Sequence, residues 1–113
     1  MNFEIYYINK KGDVVQVAAT EHALDRFIER YSLLFGVTLD VESAIEKIKH
    51  LFKHADRLTK LGKHSKQRLE RYGGDTMFFR KNEFTFVIQN ARLVTVEISA
   101  KKHRHLNKKQ ERH

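Results

Sequence analysis

Thr20-Glu21-His22-Ala23-Leu24-Asp25-Arg26-Phe27-Ile28-Glu29-Arg30-Tyr31 is the stretch whose reading decides the fold. Leu24, Phe27, Ile28, Tyr31, Leu34 and Phe35 recur at three- and four-residue spacing, which makes one apolar stripe of an α-helix. Thr20 is the expected N-cap, because its hydroxyl can accept an orphan amide of the first turn. His22, Arg26 and Arg30 lie four apart and rise as a column on the other side, flanked by Asp25 and Glu29. One imidazole near a helix N-terminus, with guanidiniums one and two turns on, suits a phosphate: the amide dipoles favour an anion and arginine forks match its oxygens. The competing reading is a solvated helix face, since the column points away from the apolar stripe and short motifs match by chance.

Outward from this helix, both flanks read as strands. Phe3 to Ile8 alternates, with Phe3, Ile5 and Tyr7 on one side. Asn9 to Asp13 is a turn in which Gly12 is free to take a positive φ, and Val14 to Ala18 completes a hairpin. On the other side, Gly36 ends the helix, and Thr38 or Asp40 caps a second one. Its stripe is Val41, Ala44, Ile45, Ile48, Leu51, Phe52 and Ala55, extending toward Leu58, with Gly62 as the stop. Lys60 to Arg71 is basic and poor in apolar residues, so it reads as a loop or an exposed helical turn. Thr76 to Arg80, Glu83 to Gln89 and Arg92 to Ile98 are three strands joined too tightly to be anything but antiparallel. Phe84, Phe86 and Ile88 form one face of the middle strand, and Val94, Val96 and Ile98 one face of the last; the opposite faces look wetter. The expected fold is α+β, two helices packed on one antiparallel sheet in the order β-β-α-α-β-β-β. Residues 1 to 100 form a single α+β domain, and 101 to 113 a basic C-terminal tail.

Charge is the strongest bulk signal. Lysines and arginines number 22 against 14 acids, a net of +8. The tail contributes +5 of this, from Lys101, Lys102, Arg104, Lys108, Lys109 and Arg112 against Glu111, leaving +3 for residues 1 to 100. Such clustering suits a polyanion, and a nucleic acid is the expected partner. Lys63, Lys66, Arg68 and Arg71, with Tyr72 beside them to stack on a base, and Lys101, Lys102 and Arg104 of the tail are the candidate nucleic-acid contacts. A packed Tyr72 and a merely solubilising tail are the alternatives.

Several chemistries are excluded or left without support. The chain has no cysteine, so disulfides, thiolate zinc sites and cysteine nucleophiles are ruled out. His50 and His54 have the spacing of a zinc helix, but Leu51-Phe52-Lys53 between them lacks the general-base glutamate, and no third ligand is evident. His103, His105 and His113 read as charge and solvation. No metal and no cofactor is expected. No apolar run reaches the length of a membrane span, and Met1-Asn2-Phe3-Glu4 is not a signal peptide; a cytoplasmic protein is the expectation.

The helix Glu21-His22-Ala23-Leu24-Asp25-Arg26-Phe27-Ile28-Glu29-Arg30 resembles the "HA..R..eR" helix of small DUF4258-type proteins, and Leu93-Val94-Thr95-Val96 resembles their closing "vvTv" strand. These are similar to the barnase, EndoU, colicin-type and RelE-like (BECR) nuclease group. The resemblance covers roughly residues 14 to 98 and rests on a short motif. It implies a metal-independent ribonuclease, of the kind often found as toxins, with RNA as the partner and an antitoxin or immunity protein as a further one. Carried over by position, it implies His22, Arg26, Arg30 and Thr95 as the catalytic site. His22 would act as general base or acid, Arg26 and Arg30 would hold the phosphate, and Thr95 would hydrogen-bond a phosphate oxygen. The second helix and the basic loop are longer than the resemblance leads one to expect, and the N-terminal hairpin and the tail fall outside it. The alternatives are a non-catalytic RNA- or DNA-binding module and a protein-interaction subunit docking through a strand edge.

Overall fold

The computed structural model describes residues 2–58, 66, 67, 70 and 75–98. Strands β1 (Phe3–Ile8) and β2 (Val14–Ala19) form the opening hairpin, with Phe3 paired to Ala19 and Ile8 to Val14. Its turn is closed by the Asn9 side chain, whose Oδ1 accepts the Lys11 and Asp13 amides at 3.0 and 2.9 Å. Gly12 in that turn has φ +86°, a conformation open to glycine at little steric cost.

Helix α1 (Glu21–Phe35) begins at Thr20 and ends at Gly36, which has φ 68° and donates its N–H to Ser32 at 2.8 Å. Helix α2 (Val41–Lys53) is capped by Asp40, whose carboxylate accepts the Ser43 amide at 2.7 Å. The apolar stripe of α2 does not carry the helix on to Leu58. The helix closes at His54, and strand β3 (Asp56–Arg57) follows, paired with Phe79 and Arg80. Its exit is fixed by the Leu58 amide, which donates to the Phe78 carbonyl at 2.8 Å. An available strand edge has outbid one more helical turn. Strands β4 (Thr76–Lys81), β5 (Phe84–Gln89) and β6 (Arg92–Glu97) complete the sheet as an antiparallel meander.

The class is α+β, as the pattern of elements requires, with one strand more than the sequence reading holds and a sheet that is mixed rather than wholly antiparallel. The strand order is β1-β2-β6-β5-β4-β3. The one parallel pair among the described strands, β2 with β6, is two residues long: Ala18 opposite Arg92 and Ala19 opposite Leu93. The chain then leaves β2 for α1, so the two strands separate almost at once.

Both helices lie on one face. Leu24, Phe27, Ala44, Ile48 and Phe52 pack there against Ile5, Val17, Phe79, Phe84, Phe86, Ile88, Leu93 and Val96. Phe52 is the hub, with ring centroids 5.3 to 5.7 Å from Phe79, Tyr7 and Phe86. A fully buried Phe contributes on the order of 1.5–3 kcal/mol by area removed from water. Leu93 belongs to this face together with Val96, which strict alternation forbids. Ile88 is opposite Leu93 while Val87 is opposite Thr95, so Val94 is an extra residue in β6, a bulge that resets the alternation. The other face is not uniformly wet: Phe78, Val87, Thr76 and Thr95 are buried on it.

Candidate nucleic-acid interface

The start of α1 is tied to the sheet by one side chain. The Thr20 hydroxyl accepts the Ala23 amide at 3.2 Å and donates to the Leu93 carbonyl at 2.9 Å. The Thr20 amide also donates to Leu93, at 3.2 Å. Ala23, Leu24 and Phe27 are buried, so the rotation of the helix is set and its outward face is set with it. His22 is exposed on the first turn. Arg26 and Arg30 follow on the same side and are held by the carboxylate between them. Arg26 Nη1 lies 2.8 Å from Glu29 Oε2, and Arg30 Nη1 lies 2.6 Å from Glu29 Oε1. The Arg30 side chain is 13% exposed and that of Arg26 40%, so the first is seated against the protein and the second offers its guanidinium to solvent.

Partial burial would raise the Glu29 pKa, but the hydrogen bond from Arg26 and the charges of Arg30 and Arg26 outweigh it and hold the carboxyl below its ordinary value. Glu29 therefore stays ionised at neutral pH and cancels one of the two guanidinium charges. Asp25, exposed beside Arg26, offsets the other, so the charges of the column and its flanks balance and Arg26 is its most accessible cation, with the His22 imidazole at its N-terminal end.

Thr95 is placed elsewhere. It pairs with Val87 on β6, is 6% exposed, and points to the face opposite the one α1 covers with Leu93 and Val96. The sheet therefore stands between its hydroxyl and the His22, Arg26, Arg30 column. Lys66 is exposed. Lys63, Arg68, Arg71, Tyr72, Lys101, Lys102 and Arg104 lie outside the described residues, as does the tail. His50 and His54 stack edge to face at 5.1 Å between centroids; among the described residues no group of three or more potential ligands is placed to hold a metal ion.

A second feature escaped the sequence reading. Tyr31, Phe35 and Phe84 read as helix stripe and strand face, that is, as core. They line a groove of about 360 Å³ between the end of α1, the middle of α2 and the β4–β5 turn. Its polar margin is Glu46, Lys47, His50 and Asn82. The Tyr31 ring lies 4.6 Å from Phe35 and stacks parallel to Phe84 at 6.4 Å, and Lys47 Nζ sits 5.6 Å from its centroid. Phe35 is 54% exposed at the end of the apolar stripe, as the last residue of α1. No spacing rule distinguishes such a residue from one with a partner.

Comparison of the chain with protein-family models, with curated proteins and with solved structures found no match.

Proposed function

We propose that this protein binds RNA through its phosphates, with the outer face of α1 as one contact surface and the basic loop and tail as the others. The observation that carries the reading is the column itself. His22, Arg26 and Arg30 stand on one side of a helix whose other side is locked in the core, so the backbone fixes their spacing. The net charge of +8 supplies the long-range attraction that such a contact needs. The position of Thr95 across the sheet favours the non-catalytic form of this reading.

Metal-independent cleavage is the second reading, favoured by the exposure of His22 beside the two guanidiniums and by the resemblance of α1 and β6 to BECR-type nucleases. In that reaction the ribose 2′-oxygen bonds to phosphorus as His22 takes its proton. The bond from phosphorus to the 5′-oxygen breaks, and that oxygen takes a proton from the imidazolium or from water. Arg26, the more exposed of the two guanidiniums, holds the phosphate oxygens, with Arg30 behind it. Thr95 has no part in the step, so the work falls on one imidazole and two guanidiniums. An RNA-toxin role with an antitoxin or immunity partner belongs to this second reading only.

One experiment separates the two. Pure protein and its His22→Ala variant are incubated with total RNA in chelator, and binding and fragments are both recorded. The binding reading expects RNA retained by both proteins and no fragments from either. Fragments from the wild type alone would establish cleavage by His22. No affinity for RNA at low salt would sink both readings.

A further inference from the structure

We propose that the groove between α1, α2 and the β4–β5 turn is a nucleotide subsite, which receives the planar base of a ribonucleotide on Phe35, backed by Tyr31, and its phosphate at Lys47 and His50. The proposal rests on the RNA reading above and gives it a second, base-contacting site. The groove falls within the 300–1,000 Å³ of small-ligand sites, and its lining joins aromatic rings to polar and charged side chains from α2 and the β4–β5 turn.

The chemistry of the lining narrows the occupant. Phe35 is the most accessible ring, more than half exposed, and an exposed aromatic on a rigid helix is a stacking platform that every base can use. Phe84 is 2% exposed and forms the floor rather than a contact surface. Lys47 Nζ lies over the Tyr31 ring, 5.6 Å from its centroid, so the open platform is Phe35 and the cation stands beside it, where the phosphate of a nucleotide stacked on Phe35 would lie. His50, one helical turn after Lys47 on α2, adds a second donor. Glu46 and the Asn82 amide supply what a cation cannot, acceptors for the N–H groups on the edge of a base. Aromatic floor, cationic margin and a carboxylate acceptor together fit a base with its phosphate better than a plain hydrophobic chain, which would leave Glu46 and Lys47 unused. The groove opens at the C-terminal end of α1, more than two helical turns from His22, and none of the column residues lines it.

The ligand could be a free mononucleotide or an unpaired base within RNA, and the test separates them. The full-length protein is titrated with guanosine and cytidine monophosphates, with a single-stranded RNA twelve-mer, and with the same sequence as a duplex. Binding is followed by fluorescence anisotropy for the RNAs and by amide NMR shifts for the mononucleotides. Phe35→Ala removes an exposed ring and leaves the core untouched; Lys47→Ala removes the cation. The expected result is single-strand affinity lowered about tenfold or more by Phe35→Ala, in line with the stacking contribution of one base, with duplex affinity unchanged. Amide shifts at Asn82 and around Lys47 on adding either monophosphate would show that the groove takes a free nucleotide as well; shifts with the twelve-mer alone would assign it to RNA. Wild-type affinity for single strands in both variants would overturn the groove while leaving RNA binding intact. A wild-type protein that binds neither RNA nor either monophosphate would overturn the groove and the RNA reading together.

Discussion

The Thr20 hydroxyl accepts a helix amide and donates to a strand carbonyl 73 positions away in the chain. It therefore fixes where α1 starts and how the helix is anchored to β6, which in turn sets the side from which His22, Arg26 and Arg30 project. Thr20→Ala removes both hydrogen bonds and leaves the Leu93 carbonyl to the Thr20 amide alone. The expected loss is about 1–2 kcal/mol, read as a lower urea midpoint at unchanged slope, with Thr20→Ser recovering most of it. An unchanged midpoint in Thr20→Ala would show that the cap does not hold the helix in place. The cap was legible in the sequence, because it depends only on a hydroxyl one residue before an apolar stripe. Its second bond, to Leu93, was not: nothing local indicates that β6 runs beneath the helix start.

At the scale of elements, the helices and hairpins were readable from periodicity and from their stops at Gly36 and Gly12. The three features that were not are all matters of register: β3, the short parallel pair of β2 with β6, and the bulge at Val94. A two-residue strand has no periodicity of its own, and Asp56 and Arg57 become one only because the edge of β4 is open to them. Val94 shows the cost of assuming strict alternation. Read without a bulge, Leu93 falls on the face away from the helices; in the fold it is fully buried among the residues α1 covers. The bulge gives a direct test. Deleting Val94 leaves Ile88 opposite Leu93, Val87 opposite Thr95 and Phe86 opposite Val96 in one unbroken ladder, so the variant keeps every face and unfolds cooperatively. Deleting Val96 instead drives Glu97 into the helix-covered core, and the fold is lost. Near-ultraviolet circular dichroism and urea unfolding distinguish the two. Equal damage from both deletions would contradict the register described here. The candidate site was legible to the same degree as its elements: the column on α1 follows from spacing alone, whereas the groove depends on how α1, α2 and a turn meet.

For the whole molecule, acid sensitivity and the proposed RNA binding both rest on how the charges are arranged. Asp40 is held below the usual carboxylate range by the Ser43 amide hydrogen bond and then by the Ser43 side chain, and Glu29 by Arg26 and Arg30 against the opposing effect of burial. Both protonate less readily in the folded chain than in the unfolded one. Their stabilisation is therefore complete at neutral pH and is lost as the pH falls through the folded values, below about pH 4 where free carboxylates titrate. Thermal unfolding should show a midpoint flat near neutrality and dropping in acid. Asp40→Asn keeps the cap and should flatten part of that drop; an acid limb identical to the wild type would remove Asp40 from the explanation. No helix among the described residues is long and apolar enough to cross a membrane, and the proposed RNA binding rests on 22 basic against 14 acidic residues. The most direct test of that claim is the salt dependence of RNA affinity, measured for the wild type, Arg26→Ala and Glu29→Gln. Phosphate contact at the α1 face requires affinity to fall steeply with salt, the slope to shrink by about one in Arg26→Ala, and binding to tighten in Glu29→Gln, where the arginines lose their internal counter-ion. Salt-independent binding, or the same slope in all three proteins, would contradict it.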